Sequence, residues 1–207
     1  QADSQLERTS LALALTGRLP LSGGTITWSE GDDEPRRISM KRLRDLSSVV
    51  DSPDVTAPEQ HMRVHDYVSE MLSYNLPIFG RSRASRWLAE RGLEELDGLW
   101  MDEISGEMNI ELMAALAQHS PSDLLVFDTP SRHLNHTYMW LPYLEELAAD
   151  EDHPRMVVAV VPHISESWHG ARAVVGRAPE ENVPALVEGE IEPSNDSPEH
   201  GENAEKE

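Results

Sequence analysis

The chain has 207 residues, enough for one domain with a sizeable core and a tail, and short for two full domains. Its 38 acids against 17 bases give a formal charge of −21, which argues against nucleic acid or an anionic lipid surface as the main partner of the body. With no cysteine there is neither a disulfide framework nor thiolate chemistry, as fits a reducing compartment.

No apolar run approaches the roughly 20 residues that a membrane-spanning helix needs. The sequence starts at Gln1 rather than Met, so an upstream segment, with a first strand in it, is expected to be missing. From Leu6 the pattern Leu6, Ser10, Leu13, Ala14 predicts an amphipathic helix that ends near Gly17. The glycines of Leu21-Ser22-Gly23-Gly24 predict a turn into a strand, Thr25-Ile26-Thr27-Trp28. Asp32, Asp33 and Glu34 mark an exposed loop. Arg36, Arg37, Lys41, Arg42 and Arg44 follow as the one basic cluster, to be read as a solvated face or as a contact for phosphate or a partner. Leu46 to Val50 reads as a second strand.

Between Ala57 and Trp100 the spacing of Val64, Tyr67, Val68, Met71 and Leu72, then Trp87, Leu88, Leu93 and Leu96, predicts a helical subdomain broken at Pro77 to Gly80. His61 and His65 share a helical face, but the pattern lacks the glutamate and third ligand of a zinc site. Ser105 is an N-cap residue and opens a further helix through Leu116. Leu124-Leu125-Val126-Phe127-Asp128 is a short apolar run closed by Pro130, the pattern of a buried parallel strand. It delivers an acid at its carboxyl end, where open α/β sheets bind ligands and where phosphate-binding folds hold magnesium. Leu141 to Ala149 reads as a helix, and Met156 to Val161 as another buried strand followed by Pro162-His163. Helix then strand, twice over, is the grammar of a doubly wound α/β sheet. Residues 180 to 207 carry ten acids and one lysine without apolar periodicity, the composition of a disordered acidic tail.

Four pieces stand in order: Arg8-Thr9-Ser10 in a helix start, Ile104-Ser105-Gly106-Glu107 opening another helix, Asp128 ending a strand, and His163 after the next strand. This order resembles the nucleotide-binding domain of ATP-binding cassette (ABC) transporters, over about Ala2 to Pro179, with the helical subdomain inserted at about 57–100. The resemblance implies a P-loop NTPase-like, mostly parallel sheet flanked by helices. It further implies ATP and Mg2+ as ligands, an integral membrane permease or other membrane protein as partner, pairing with a second cassette subunit, and a cytoplasmic place at the inner face of the membrane. Carried over, Arg8, Thr9 and Ser10 take the phosphate loop, Thr9 and Asp128 the magnesium, Ser105 and Gly106 the signature that meets the γ-phosphate bound by a second copy, and His163 the switch histidine.

The match thins at the chemistry. Against G-x-x-x-x-G-K-[ST], Ala2 and Glu7 replace the glycines, Gln5 a third glycine, and Arg8 the lysine. Thr129 stands in place of the glutamate that polarises water, and a threonine hydroxyl is no base near neutral pH. Asn135 replaces an aspartate, and no glutamine fits the loop after the second strand, where Asp51 lies. Two functions follow from the same residues: a working ATPase coupled to a transporter, or a degenerate, non-hydrolysing cassette that acts as a structural or regulatory partner. Each residue also has a plainer reading, with Arg8 and Thr9 as first-turn residues, Asp128 as a turn cap and His163 as an ordinary strand-end histidine.

Overall fold

The computed structural model describes residues 1–176 apart from 32, 76–80, 135 and 166–167. The predicted break at Pro77 to Gly80, Asn135 and the acidic tail lie outside the described residues.

Three short strands, β1 being Thr27–Trp28, β2 Arg36–Arg37 and β3 Ser47–Val50, precede the long helical stretch, and two more, β4 Leu124–Asp128 and β5 Met156–Val160, follow it. β1 and β2 form an antiparallel ribbon. The other three make one parallel sheet in the order β3-β4-β5, with Asp128 opposite Val160 in the register. Parallel neighbours need crossovers. Helices α3 (Val64–Asn75), α4 (Arg81–Ala89) and α5 (Gly106–His119) lie between β3 and β4, and α6 (Thr137–Ala148) connects β4 to β5.

Because successive strand residues face opposite ways, β4 feeds two cores. Leu125 and Phe127 pack with α3, α5 and α6 through Val64, Val68, Ile110, Leu112, Trp140 and Leu144. Leu124 and Val126 pack on the other face with Ala12 of α1 (Gln5–Leu15) and Leu43 of α2 (Met40–Leu46). By the same alternation Asp128 turns toward α1. All five residues of β4 are buried, as the uninterrupted apolar run predicts for a central parallel strand.

Three local differences from the sequence reading have simple causes. Ser47 to Val50 is a strand as expected, but α2 and β2 arise within the basic cluster, too short to leave an apolar period. The helix α6 starts at Thr137, four residues before the predicted Leu141, and accommodates Pro142 within it. Helix α1 starts at Gln5 because Ser4 and Glu7 form a capping box: the Ser4 hydroxyl accepts from the Glu7 N–H and the Glu7 carboxylate accepts from the Ser4 N–H, each at 3.1 Å. At its far end Gly17 takes φ +69°, and a side chain there would meet the Met40 carbonyl at 2.6 Å, so the close approach of this turn to α2 requires glycine.

The Glu7 carboxyl titrates below its ordinary range because it accepts hydrogen bonds from Ser4. A carboxylate with a lowered folded pKa contributes stability above its unfolded pKa and loses that contribution as pH falls through the folded value. The melting temperature of the chain is therefore expected to exceed that of Glu7→Gln near neutrality. The gap narrows as pH drops from about 6 to about 3, and thermal melts of both proteins across that range check it.

Candidate functional site

The carboxyl end of β4 meets the first two turns of α1 in a closed hydrogen-bond network. Asp128 is fully buried, and both its oxygens are saturated. Oδ2 accepts from the Thr9 hydroxyl at 2.7 Å and the Ser52 hydroxyl at 2.9 Å. Oδ1 accepts from the Thr129 hydroxyl at 2.9 Å and the Gln5 amide at 3.2 Å. Gln5 also donates to the Thr9 hydroxyl at 3.0 Å, one helical turn on.

Arg8 turns inward and is buried. Its Nε donates to the Thr129 hydroxyl at 3.0 Å, one Nη to the carbonyls of Ala2 and Asp3, and the other to Gln5 Oε1. The Thr129 hydroxyl thus relays between the Arg8 guanidinium and the Asp128 carboxylate. Four of the five guanidinium N–H bonds are committed inside the chain.

Thr129 holds the left-handed conformation, φ 60° and ψ 59°, which a β-branched residue adopts only at a cost of about 1–3 kcal/mol. Its N–H donates to the Val160 carbonyl at 2.9 Å and its hydroxyl bridges Arg8 and Asp128, so the surroundings fix the conformation. Asp51, at the end of β3, is also left-handed and buried, and its carboxylate takes the His133 Nε2–H at 2.7 Å. Arg132 approaches the same carboxylate to 2.8 Å and donates to the Asp51 carbonyl at 2.7 Å. The ends of β3 and β4 are therefore tied twice, through Ser52 to Asp128 and through Asp51 to the turn after β4. A groove of about 1830 Å³ opens beside these ties, lined by Asp51, His133, Asn109 and Tyr67. Burial, with the nearby Asp51 and Glu70 charges, pushes the Tyr67 hydroxyl far above its ordinary range, so it stays a neutral donor, to the Thr56 carbonyl at 2.9 Å.

Of the residues expected at a site, Arg8, Thr9 and Asp128 come together here, and Ser10 follows in α1 outside the network. Ser105 caps α5 by accepting from the Met108 N–H at 3.2 Å, and Gly106 packs on the His133 carbonyl. Gly106 thus lies against the turn after β4. His163 is exposed, three residues beyond the end of β5. Gln5, Ser52, Arg132 and His133 are site residues that sequence patterns did not reveal, although Gln5 stands at the helical i,i+4 spacing from Thr9. His61 and His65 go to different acids, Asp102 at 3.5 Å and Asp97 at 2.8 Å, and among the described residues no group of three or more His, Cys, Asp or Glu could hold a metal.

The donor set suits a hard cation in part. The Thr9 hydroxyl and Asp128 Oδ2, 2.7 Å apart, are close to the spacing of two adjacent oxygens around Mg2+, which takes its remaining ligands from water and phosphate. The phosphate side fits less well. A phosphate-binding loop turns successive N–H groups onto the anion from a non-helical backbone. Here residues 5–8 form the first helical turn, the Arg8 N–H donates to the Ser4 carbonyl at 3.0 Å, and Glu7 occupies the helix start.

No family profile matches the chain, and no curated protein matches it. Among solved structures it is similar to an ABC transporter ATP-binding protein from Pyrococcus furiosus, with a TM-score of 0.53 and 13% sequence identity over 80% of this chain and 78% of that one. The fold is ABC-type and P-loop-like. The cassette architecture expected from the order of motifs thus holds, with a parallel sheet between two helical layers and Asp128 at its carboxyl rim. Among the described residues no helix of this cassette fold is long and apolar enough to cross a membrane.

Proposed function

We propose that the chain is a cassette-type subunit that does not turn over ATP and acts as a structural or regulatory partner. On this reading residues 1–179 form the cassette unit, which pairs with another cassette subunit or docks on a membrane permease at the cytoplasmic face. The observation that carries it is the first turn of α1. Where an ATPase needs a glycine-rich loop, Ser4 to Arg8 form a capped helical turn in which the Ser4, Glu7 and Arg8 N–H groups are spent within the chain. Arg8, at the lysine position, is likewise committed to Ala2, Asp3, Gln5 and Thr129. Thr129, at the position of the general base, serves as a hydrogen-bond relay.

A second reading, ATP bound with Mg2+ and hydrolysed weakly, draws support from the Thr9–Asp128 oxygen pair and from the likeness in fold to an ATP-binding protein. The two separate on one variant. If only the base were missing, Thr129→Glu would restore part of the roughly 10²–10⁴-fold contribution of a positioned base. The proposal expects no single-turnover hydrolysis of radiolabelled ATP by either the native chain or Thr129→Glu, because nothing holds the phosphates. Hydrolysis gained by the variant would favour the ATPase.

A further inference from the structure

The basic cluster has no role in the network around Asp128, yet its geometry is unusual for so acidic a chain. Arg36 and Arg37 are both exposed in β2, Lys41 and Arg42 are exposed in α2, Arg18 follows the end of α1, and Arg44 lies in the last turn of α2. None of the ion pairs among the described residues uses any of these six bases, although 38 acids are available in the sequence and Glu30, Asp33, Glu34 and Asp45 are close in the chain. Arg18 and Arg44 are held close together by carbonyls instead: Arg18 donates to the carbonyls of Thr16 and Ser47, and Arg44 to that of Gly17 at 2.9 Å. Burial and the Arg44 charge both push the Arg18 guanidinium below its ordinary range. Two guanidinium groups anchored on the neighbouring carbonyls of Thr16 and Gly17, with no carboxylate paired to either, favour a nearby anion.

We infer that this face is the docking surface for the chain's own acidic C-terminal segment, residues 180–207. The charges are complementary, ten acids and one lysine against six unpaired bases. Reach is sufficient. Val175 donates to the Gln1 carbonyl, next to the start of α1, while Gly17 and Arg44 sit at the other end of that helix. The helix has 11 residues and so spans about 16 Å, and 31 residues follow Gly176, a number for which the end-to-end distance of a random coil is about 30 Å. Tethering of this kind gives an effective concentration on the order of millimolar, above that of a free acidic peptide. The contact is electrostatic and screened by salt.

Lysine chemistry tests this directly, since Lys41 and Lys206 are the only lysines. Treating the full chain with a carbodiimide joins a carboxylate to a neighbouring amine, and peptide mass spectrometry locates the link. Docking predicts amide links from Lys41 to glutamates of 180–207, with a yield unchanged by tenfold dilution and reduced several-fold at about 1 M salt. The triple variant Arg36→Ser, Arg37→Ser, Arg42→Ser keeps Lys41 and is expected to lose most of those links while its melting temperature stays close to that of the native chain. A second variant, Glu188→Gln, Glu190→Gln, Glu192→Gln, should also lower the yield. Links from Lys41 only to Glu34 or Asp45 would overturn the inference. So would links to the tail that vanish on dilution, which would mark a second copy, or binding of phosphatidylserine vesicles with no tail link, which would mark a membrane contact.

Discussion

Asp128→Ala is expected to destabilise the chain by about 3–5 kcal/mol, a fall in melting temperature on the order of 10 °C for a protein of this size. The carboxylate is fully buried and accepts from Thr9, Ser52, Thr129 and Gln5. Deleting it leaves four donors to find new partners, two of them, Ser52 and Thr129, buried, and a buried donor left without one costs about 1–3 kcal/mol. It also strands the Arg8 guanidinium, which reaches Asp128 through the Thr129 hydroxyl. The sign of the effect is diagnostic. In a site kept for metal and phosphate, the acid stands in an uncompensated field and its removal leaves the fold unharmed or steadier. Thermal or urea unfolding of Asp128→Ala beside Asp128→Asn reads the difference, because the amide retains one acceptor and should recover part of the loss.

The second large effect is expected at Gly106. A Cβ on this residue would stand 2.2 Å from the His133 carbonyl oxygen and 3.1 Å from the Leu134 side chain, and the first contact is with backbone, which cannot swing away. Gly106→Val should therefore cost about 2–4 kcal/mol by prising the start of α5 from the turn after β4. That turn carries Arg132 and His133 to Asp51, so the variant also disturbs the tie between the ends of β3 and β4. Urea midpoints at constant m-value measure the cost, and Gly98→Val, at a position with open space around a Cβ, is the control expected to lose far less.

The sheet was legible because β4 is buried on both faces and β5 is apolar throughout, although β5, at the edge of the sheet, is mostly half-buried rather than the buried strand its run of valines predicts. Leu124 to Asp128 and Met156 to Val160 leave uninterrupted apolar runs, and the helices between them leave a 3.6-residue period. Asp128 could be singled out for the same reason, as an acid at the end of such a run. Its partners could not. Ser52 lies 76 residues from Asp128 in the chain, and Asp51 lies 82 from His133, so those contacts exist only once β3 and β4 pair. The start of α1 is more instructive. Ser4-Gln5-Leu6-Glu7 has the spacing of a capping box, a local signal that predicts a helix at Gln5. Alignment of the same residues with G-x-x-x-x-G-K-[ST] assigns them to a loop and makes Glu7 an obstacle to phosphate. In the fold Glu7 is the cap. Local hydrogen bonding decides here because no glycine remains to hold the loop open.

Whether the turn from Ser4 to Arg8 can give way to phosphate is open to a direct measurement: the melting temperature of the native chain titrated with Mg-ATP to about 5 mM. A ligand at 100 times its Kd adds about 2.7 kcal/mol, a rise of several degrees. A non-binding cassette predicts a flat line, identical for the native chain and Thr9→Ala after correction for their different starting points. A saturable rise in the native chain that Thr9→Ala abolishes would contradict it.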